Sequence, residues 1–292
     1  MTYGINYQGS KNAIAKEILS FLPDGNRLVD LFGGGGAISH CACLSDKYQK
    51  VLYNEKNKFL CDGIRKAITE GFGKEVRWVS REEFYALKNI DFYVASCFSF
   101  SGNFKGYLYS KDLEPIKKAL FFAKIYNNDS LLKKEGVAYT RDENNKIVIS
   151  KENSRHKKES KEIENLKRLQ NLENLKRLST LKGLKKIEIN NGSYLDYEYK
   201  EGDVVYCDPP YEKTSCGIYA GFNFEEFYNW VETRPYQVFF SSYSLEKLKD
   251  RFYLVGERKK TVQGNRGVNV ECIYSNQPYR QSLLPTQLFL DL

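Results

Sequence analysis

Asp208-Pro209-Pro210-Tyr211 is the stretch of this chain best suited to chemistry. It follows Asp203-Val204-Val205-Tyr206-Cys207, an apolar run that reads as a buried strand, and forms a rigid, acceptor-rich turn closed by an aromatic ring. Each proline fixes φ and lacks an N–H, and each keeps its predecessor out of the helical region. The Asp208 and Pro209 carbonyls are therefore expected to face a ligand instead of a helical donor. A planar exocyclic amine offers two N–H donors, which need two acceptors, and a base taken out of its stack needs an aromatic platform. Asp208, a proline carbonyl and Tyr211 supply these parts.

The elements that must position this turn follow a βα rhythm. Ile14, Ala15, Ile18, Leu19 and Leu22 recur at helical spacing, ended by Pro23-Asp24-Gly25. Arg27 to Phe32 reads as a strand running into Gly33-Gly34-Gly35-Gly36, with Ala37 opening a helix, the first half of a βαβ unit. Val51 to Glu55 is a second strand with an acid at its carboxyl end, and Phe59 to Glu70 the next helix. In a parallel sheet the glycine turn, Glu55 and Asp208 all fall on the carboxyl edge, where ligands bind. The glycines match neither Gly-x-Gly-x-x-Gly nor a phosphate loop.

Phe92 to Phe98 reads equally as a strand or a buried helix, followed by the loop Ser99 to Asn103. Residues 104–186 lose the rhythm and look inserted. Within them Leu166, Leu169, Leu172, Leu175, Leu178, Leu181 and Leu184 recur every three residues, and each such step turns an α-helix by about −60°. That segment must be broken, tightened towards 3₁₀ geometry or buried on several sides. The βα pattern returns with Lys186 to Ile189, Val204 to Cys207, a helix over Phe224 to Thr233, a strand over Gln237 to Ser242 and a helix over Ser244 to Arg251. Phe252 to Glu257 and Val268 to Tyr274 then flank a basic loop, a hairpin with a cationic tip.

A chain of 292 residues with 41% hydrophobic content can bury a real core. No stretch approaches the roughly 20 apolar residues of a membrane span, and no signal peptide opens the chain, so a soluble cytoplasmic protein is expected. Seven cysteines without a Cys-x-x-Cys pair fit reduced, buried thiols, and His40 and His156 leave little for metal or Ser-His chemistry. Of the net charge of +8, residues 151–186, with 12 Lys+Arg and 5 Asp+Glu, contribute 12 − 5 = +7. Such concentration suits a polyanion partner, or is simply a solvated basic helix.

Taken together, Tyr7-Gln8-Gly9-Ser10-Lys11, Asp30 to Gly36, Asn54-Glu55-Lys56-Asn57 and Asp208 to Tyr211 resemble, in order, the Dam-like (alpha) class of DNA adenine N6 methyltransferases. The likeness covers residues 1–103 and about 187–276. It implies an α/β fold: a Rossmann-like methyltransferase sheet with helices on both faces, an inserted, mainly helical target-recognition region and a C-terminal β-hairpin. The catalytic domain would comprise 1–103 and 187–292, and the DNA target-recognition region 104–186. S-adenosyl-L-methionine would be the cofactor, held by Tyr7, Lys11, Asp30, Phe32, Gly33, Gly35, Glu55, Ser193, Tyr194 and Asp208, with Glu55 on the ribose hydroxyls and Lys11 at the methionine end. Catalysis would fall to Asp208, Pro209, Pro210 and Tyr211, without a metal. Many relatives have Asp where this chain has Ser193, a weaker acceptor for the cofactor's adenine.

The partner implied is double-stranded DNA, in a bacterial or phage-encoded protein associated with the nucleoid, with or without a restriction enzyme. Phosphate contacts are expected from Arg258, Lys259, Lys260 and Arg266, and base or backbone contacts from Ser101, Asn103 and Lys105. Cytosine N4 transfer remains a rival, since it too presents an exocyclic amine, as do an RNA substrate and a catalytically silent DNA-binding regulator. Cytosine C5 transfer would need a nucleophilic cysteine, and neither Cys207 nor Cys216 has the expected proline neighbour. The tail Thr286 to Leu292 has apolar residues spaced like those that dock on a sliding clamp, or packs on its own domain.

Overall fold

The computed structural model describes residues 1–144, 146–150, 167–212, 221–261 and 268–279. The strands are β1 (Gly25–Asp30), β2 (Tyr48–Asn54), β3 (Tyr139–Arg141), β4 (Ile147–Ile149), β5 (Ile187–Asn190), β6 (Asp203–Cys207), β7 (Val238–Tyr243), β8 (Tyr253–Thr261) and β9 (Val268–Ser275). Seven of them form one sheet, ordered β5-β2-β1-β6-β7-β9-β8. β5, β2, β1, β6 and β7 run parallel, and β9 lies antiparallel between β7 and β8. This is a Rossmann-like sheet, with its order reversing between β1 and β6.

Two-residue alternation decides which side chains go to which face. Leu28, Val51, Val204, Tyr206, Phe239 and Ile273 pack with Ile18, Leu19, Ile38 and Ala42 of the helices Ala15–Phe21 and Ala37–Cys43. Val29, Leu52, Val205, Cys207, Val238, Phe240, Cys272 and Tyr274 pack with Phe227, Tyr228, Trp230 and Val231 of the helix Phe224–Glu232. Because both faces are covered, the parallel strands read as continuous apolar runs. Cys41, Cys43, Cys61, Cys97, Cys207 and Cys272 are buried and free.

The chain divides into two compact units. The first, Met1–Gly4, Gly9–Thr69 and Gly183–Leu292, carries the seven-stranded sheet. The second joins Ile5–Gln8 to Glu70–Lys182, so its packing boundary lies at Glu70, upstream of the 104–186 read from the sequence. Its core is aromatic: Trp78 stacks on Tyr109 with centroids 5.8 Å apart and meets Phe98 and Phe121 edge-on. Phe92–Phe98 is a buried helix there, capped by Asp91, whose carboxylate accepts from the Val94 N–H.

The leucine stretch is broken, as one of the three readings required. Among the described residues its amphipathic helix is Gln170–Ser179, and the face it buries is Asn171, Asn174, Leu175 and Leu178, the ordinary i, i+3, i+4, i+7 pattern. Both asparagines are bonded across the unit: Asn171 Oδ1 accepts the Tyr109 hydroxyl at 2.7 Å, and Asn174 donates to the Cys97 carbonyl at 3.1 Å. Leu166 and the first part of the basic run, 151–166 with His156, lie outside the described residues.

The helix expected over Ser244 to Arg251 is a single turn, Glu246–Lys249. Ser244 is held by the sheet through its N–H to the Val270 carbonyl at 3.1 Å, and Arg251 is drawn to Glu225 and Glu232 by ion pairs at 2.8 Å. β8 in turn extends to Thr261, further into the cationic hairpin than the sequence pattern showed.

Phe240 is fully buried and touches Phe227, Phe252 and Tyr274. Phe240→Ala is therefore expected to cost about 3–5 kcal/mol, read from urea denaturation midpoints.

Candidate active site

The carboxyl ends of β1, β2 and β6 meet at the point where the sheet order reverses. Past β1, Leu31 N–H donates to the Tyr206 carbonyl at 3.0 Å and Gly33 N–H to the Asn54 carbonyl at 2.8 Å, so the glycine turn is stitched to both neighbours. Gly36 sits at φ +72°, and a Cβ on Gly33 would lie 2.2 Å from the Tyr53 ring. That ring cannot withdraw easily, because its hydroxyl donates to the Gly34 carbonyl at 2.8 Å.

Glu55, 3% exposed, bridges two loops: Oε2 accepts from the Gly34 N–H at 3.0 Å and Oε1 from the Asn57 N–H at 2.8 Å. Each carboxylate oxygen can accept again. Asn54 ties Leu31 to Gly192 through its amide, which binds both carbonyls at 3.1 Å. Ser193 opens the next turn with a capping box: its hydroxyl accepts from Leu195 and Asp196 accepts from the Ser193 N–H. Phe32 stacks on Tyr194 with centroids 5.2 Å apart, and Tyr194 leans edge-on against Trp230. Gly35 is buried, its carbonyl close against Gly4.

Asp30 is 1% exposed. One oxygen accepts the Ser39 hydroxyl at 2.7 Å, and the other, Oδ1, is buried with no hydrogen-bond partner among the described residues. Burial pushes its carboxyl up to about 7, opposed by the Ser39 hydroxyl and reinforced by the charges of Asp208 and Glu55.

At the end of β6, Pro209 and Tyr211 are buried and Asp208 and Pro210 half-buried. Lys11 Nζ stands 2.8 Å from Asp208 Oδ1, 3.4 Å from Glu271 Oε1 and 4.5 Å from the centre of the Tyr211 ring. Burial alone would pull the ammonium down, but Asp208 and Glu271 overcome this and hold it above the ordinary lysine range. Burial pushes Asp208 up, Lys11 opposes this and Glu271 adds to it. Glu271 is not among the site residues expected from the sequence, because strand pairing and not a site motif brings it to Lys11 and Tyr211.

Tyr7, Ser101, Asn103 and Lys105 belong to the second unit. Tyr7 meets Phe104 edge-on at 5.7 Å, and Asn103 is occupied locally, accepting from the Lys105 and Gly106 N–H groups at 2.8 and 3.1 Å. Ser101 and Lys105 are exposed. Arg258 pairs with Glu17 at 2.8 Å on the surface. Lys259 and Lys260 continue the β8 backbone opposite Val270 and Asn269. Arg266, Cys216 and the tail 286–292 lie outside the described residues.

A Rossmann-like sheet with an Asp-Pro-Pro-Tyr turn beside a glycine turn at its switch point defines a methyltransferase-like class. A model of the D12 class N6 adenine-specific DNA methyltransferases matches residues 7–257. The chain belongs to that family and is an adenine-specific DNA methyltransferase. No curated protein matches it in sequence. Cys207 sits fully inside the sheet, where burial drives its thiol far up, which removes it as a nucleophile for cytosine C5 chemistry. Among the described residues no helix is long and apolar enough to cross a membrane.

A carboxyl raised on folding favours the folded state below its unfolded value, and this stability is lost as pH climbs through the folded value. For Asp30 that window runs from about 4 to about 7. Asp30→Asn should therefore gain stability relative to the parent as pH rises from 5 to 8, measured by urea denaturation at both pH values.

Proposed function

We propose that the protein transfers a methyl group from S-adenosylmethionine to N6 of an adenine flipped out of a specific double-stranded DNA site. The reading is carried by the position of Asp208 and Tyr211 beside the glycine turn. The residues there fit the cofactor: a buried, unsatisfied oxygen on Asp30, a carboxylate on Glu55 with acceptor capacity for ribose hydroxyls, and the Phe32 and Tyr194 rings for a purine. Lys11, with three donors, would meet the methionine carboxylate while still paired with its protein carboxylates, and the glycine turn, without side chains, would let the ligand approach its backbone. When bound, the cofactor supplies a methyl carbon on a positively charged sulfur. Excess carboxylate at the site suits that charge.

Taking a base out of the duplex costs a few kcal/mol. Stacking on Tyr211 would return roughly 1–3 kcal/mol of it. Asp208 and the Pro209 carbonyl would accept the two N6 protons, drawing the nitrogen lone pair out of ring conjugation and fixing the line of attack. Aligned geometry of this kind contributes roughly 7–11 kcal/mol. Ser193 spends its hydroxyl on the capping box, so specificity for the cofactor's adenine would rest on ring contacts more than on that side chain.

Long-read sequencing of DNA from cells expressing the protein tests the base and its site together. N6-methyladenine at one recurrent sequence is expected, and N4-methylcytosine would overturn the reading. Asp208→Ala should abolish methyl transfer while cofactor affinity, measured by calorimetry, stays within about tenfold. Lys105, exposed on the second unit, would serve as a phosphate contact, so Lys105→Ala should weaken unrelated duplexes equally and reduce the salt slope by about 1. Selective loss at the methylated site would make it a base reader instead.

A further inference from the structure

Strand register brings to the site a residue that the Asp-Pro-Pro-Tyr motif does not contain. Glu271 on β9 is the Cα partner of Tyr243 on β7 and of Arg258 on β8, and it is 5% exposed. Its Oε1 accepts the Tyr211 hydroxyl at 2.9 Å and lies 3.4 Å from Lys11 Nζ. Tyr243 packs edge-on against the same Tyr211 ring with centroids 4.7 Å apart. The β7–β9 pair thus holds Tyr211 twice, by its hydroxyl and by a ring contact. One ammonium, meanwhile, bridges two carboxylates, of which only Asp208 belongs to the motif.

Under the proposed function, on which this inference rests, Asp208 must accept an N–H from the substrate amine. A carboxylate holding an ammonium at 2.8 Å is a poorer acceptor. Withdrawing the ammonium without another partner would strand a buried charge. Glu271 resolves both demands. We propose that Glu271 is a positioning residue that takes Lys11 as Asp208 turns to the substrate amine, while keeping the Tyr211 ring fixed by its hydroxyl. The transfer is short, since Lys11 already stands within ion-pair distance of Glu271.

Two experiments test this, one of them independent of activity. In a crystal structure of the full-length Asp208→Ala protein, Lys11 Nζ should sit within hydrogen-bond distance of Glu271, with Tyr211 unmoved. A Lys11 turned away from Glu271 would overturn the proposal. In steady-state methyl transfer to unmethylated genomic DNA, Glu271→Gln should lower kcat by at least about tenfold while KM for DNA and for S-adenosylmethionine changes by less than about threefold. The acid limb of its pH profile should move to lower pH, because the Glu271 charge no longer raises Asp208, and Glu271→Asp should recover most of the rate.

Unchanged kcat and acid limb with only a lower Tm would make Glu271 structural and refute the proposal. Should Glu271→Gln fail to fold, Glu271→Asp and the Asp208→Ala structure decide. A wild-type protein that methylates no adenine refutes the functional reading instead, and the Asp208→Ala structure still decides the role of Glu271.

Discussion

A single ammonium must serve two carboxylates, one buried and one half-buried, and the site is arranged around that shortage of positive charge. Lys11, Asp208 and Glu271 come from the two ends of the chain and meet only because β6 and β9 flank β7 in the same sheet. Desolvating three charges is costly unless each finds partners. Here the Tyr211 hydroxyl supplies the further donor that Glu271 needs. The β6–β7 and β7–β9 registers therefore fix the electrostatics, and the aromatic layer of Phe227, Phe240 and Tyr274 behind them is what holds the registers in place. A site built this way is intolerant of a one-residue slip, which would turn Glu271 to the opposite face.

The nearby acids extend the same logic. Asp30 sits near enough to Asp208 and Glu55 for their charges to reinforce its raised carboxyl. An excess of negative charge in a dry site is unfavourable by itself and becomes favourable only with a cation in place. The cationic cofactor proposed for this site would relieve that repulsion.

Much of this frame was legible in the sequence because buried parallel strands announce themselves. Leu28-Val29, Val204-Val205 and Val238-Phe239-Phe240 are covered on both faces, so they carry no polar alternation to confuse with a helix. The glycine turn and the prolines mark backbone geometry directly. Harder to see were features fixed by distant pairing. Glu271 matters through its register with Tyr243, which no local pattern records. Asn171 and Asn174 share the buried face of one short amphipathic helix because Tyr109 and the Cys97 carbonyl bond them there, distant partners that the every-third-residue leucine spacing does not reveal. Phe92–Phe98 was ambiguous for a reason: a segment buried all round shows neither period, and only the Asp91 cap distinguishes it.

Ile5–Gln8 packs with the second unit, whereas Gly4 and Gly9 on either side belong to the first. Gln8 N–H donates to the Gly102 carbonyl at 3.1 Å, Arg177 donates to the Ile5 carbonyl at 3.0 Å, and a Cβ on Gly102 would press within 2.5 Å of the Asn6 carbonyl. The second unit is consequently not a cassette held by one contiguous stretch of chain. A recombination event that imported residues 70–182 from a relative would leave a four-residue seam at the amino terminus mismatched, three positions upstream of Lys11. Divergence in the inserted unit must therefore be matched at two separate loci in the gene.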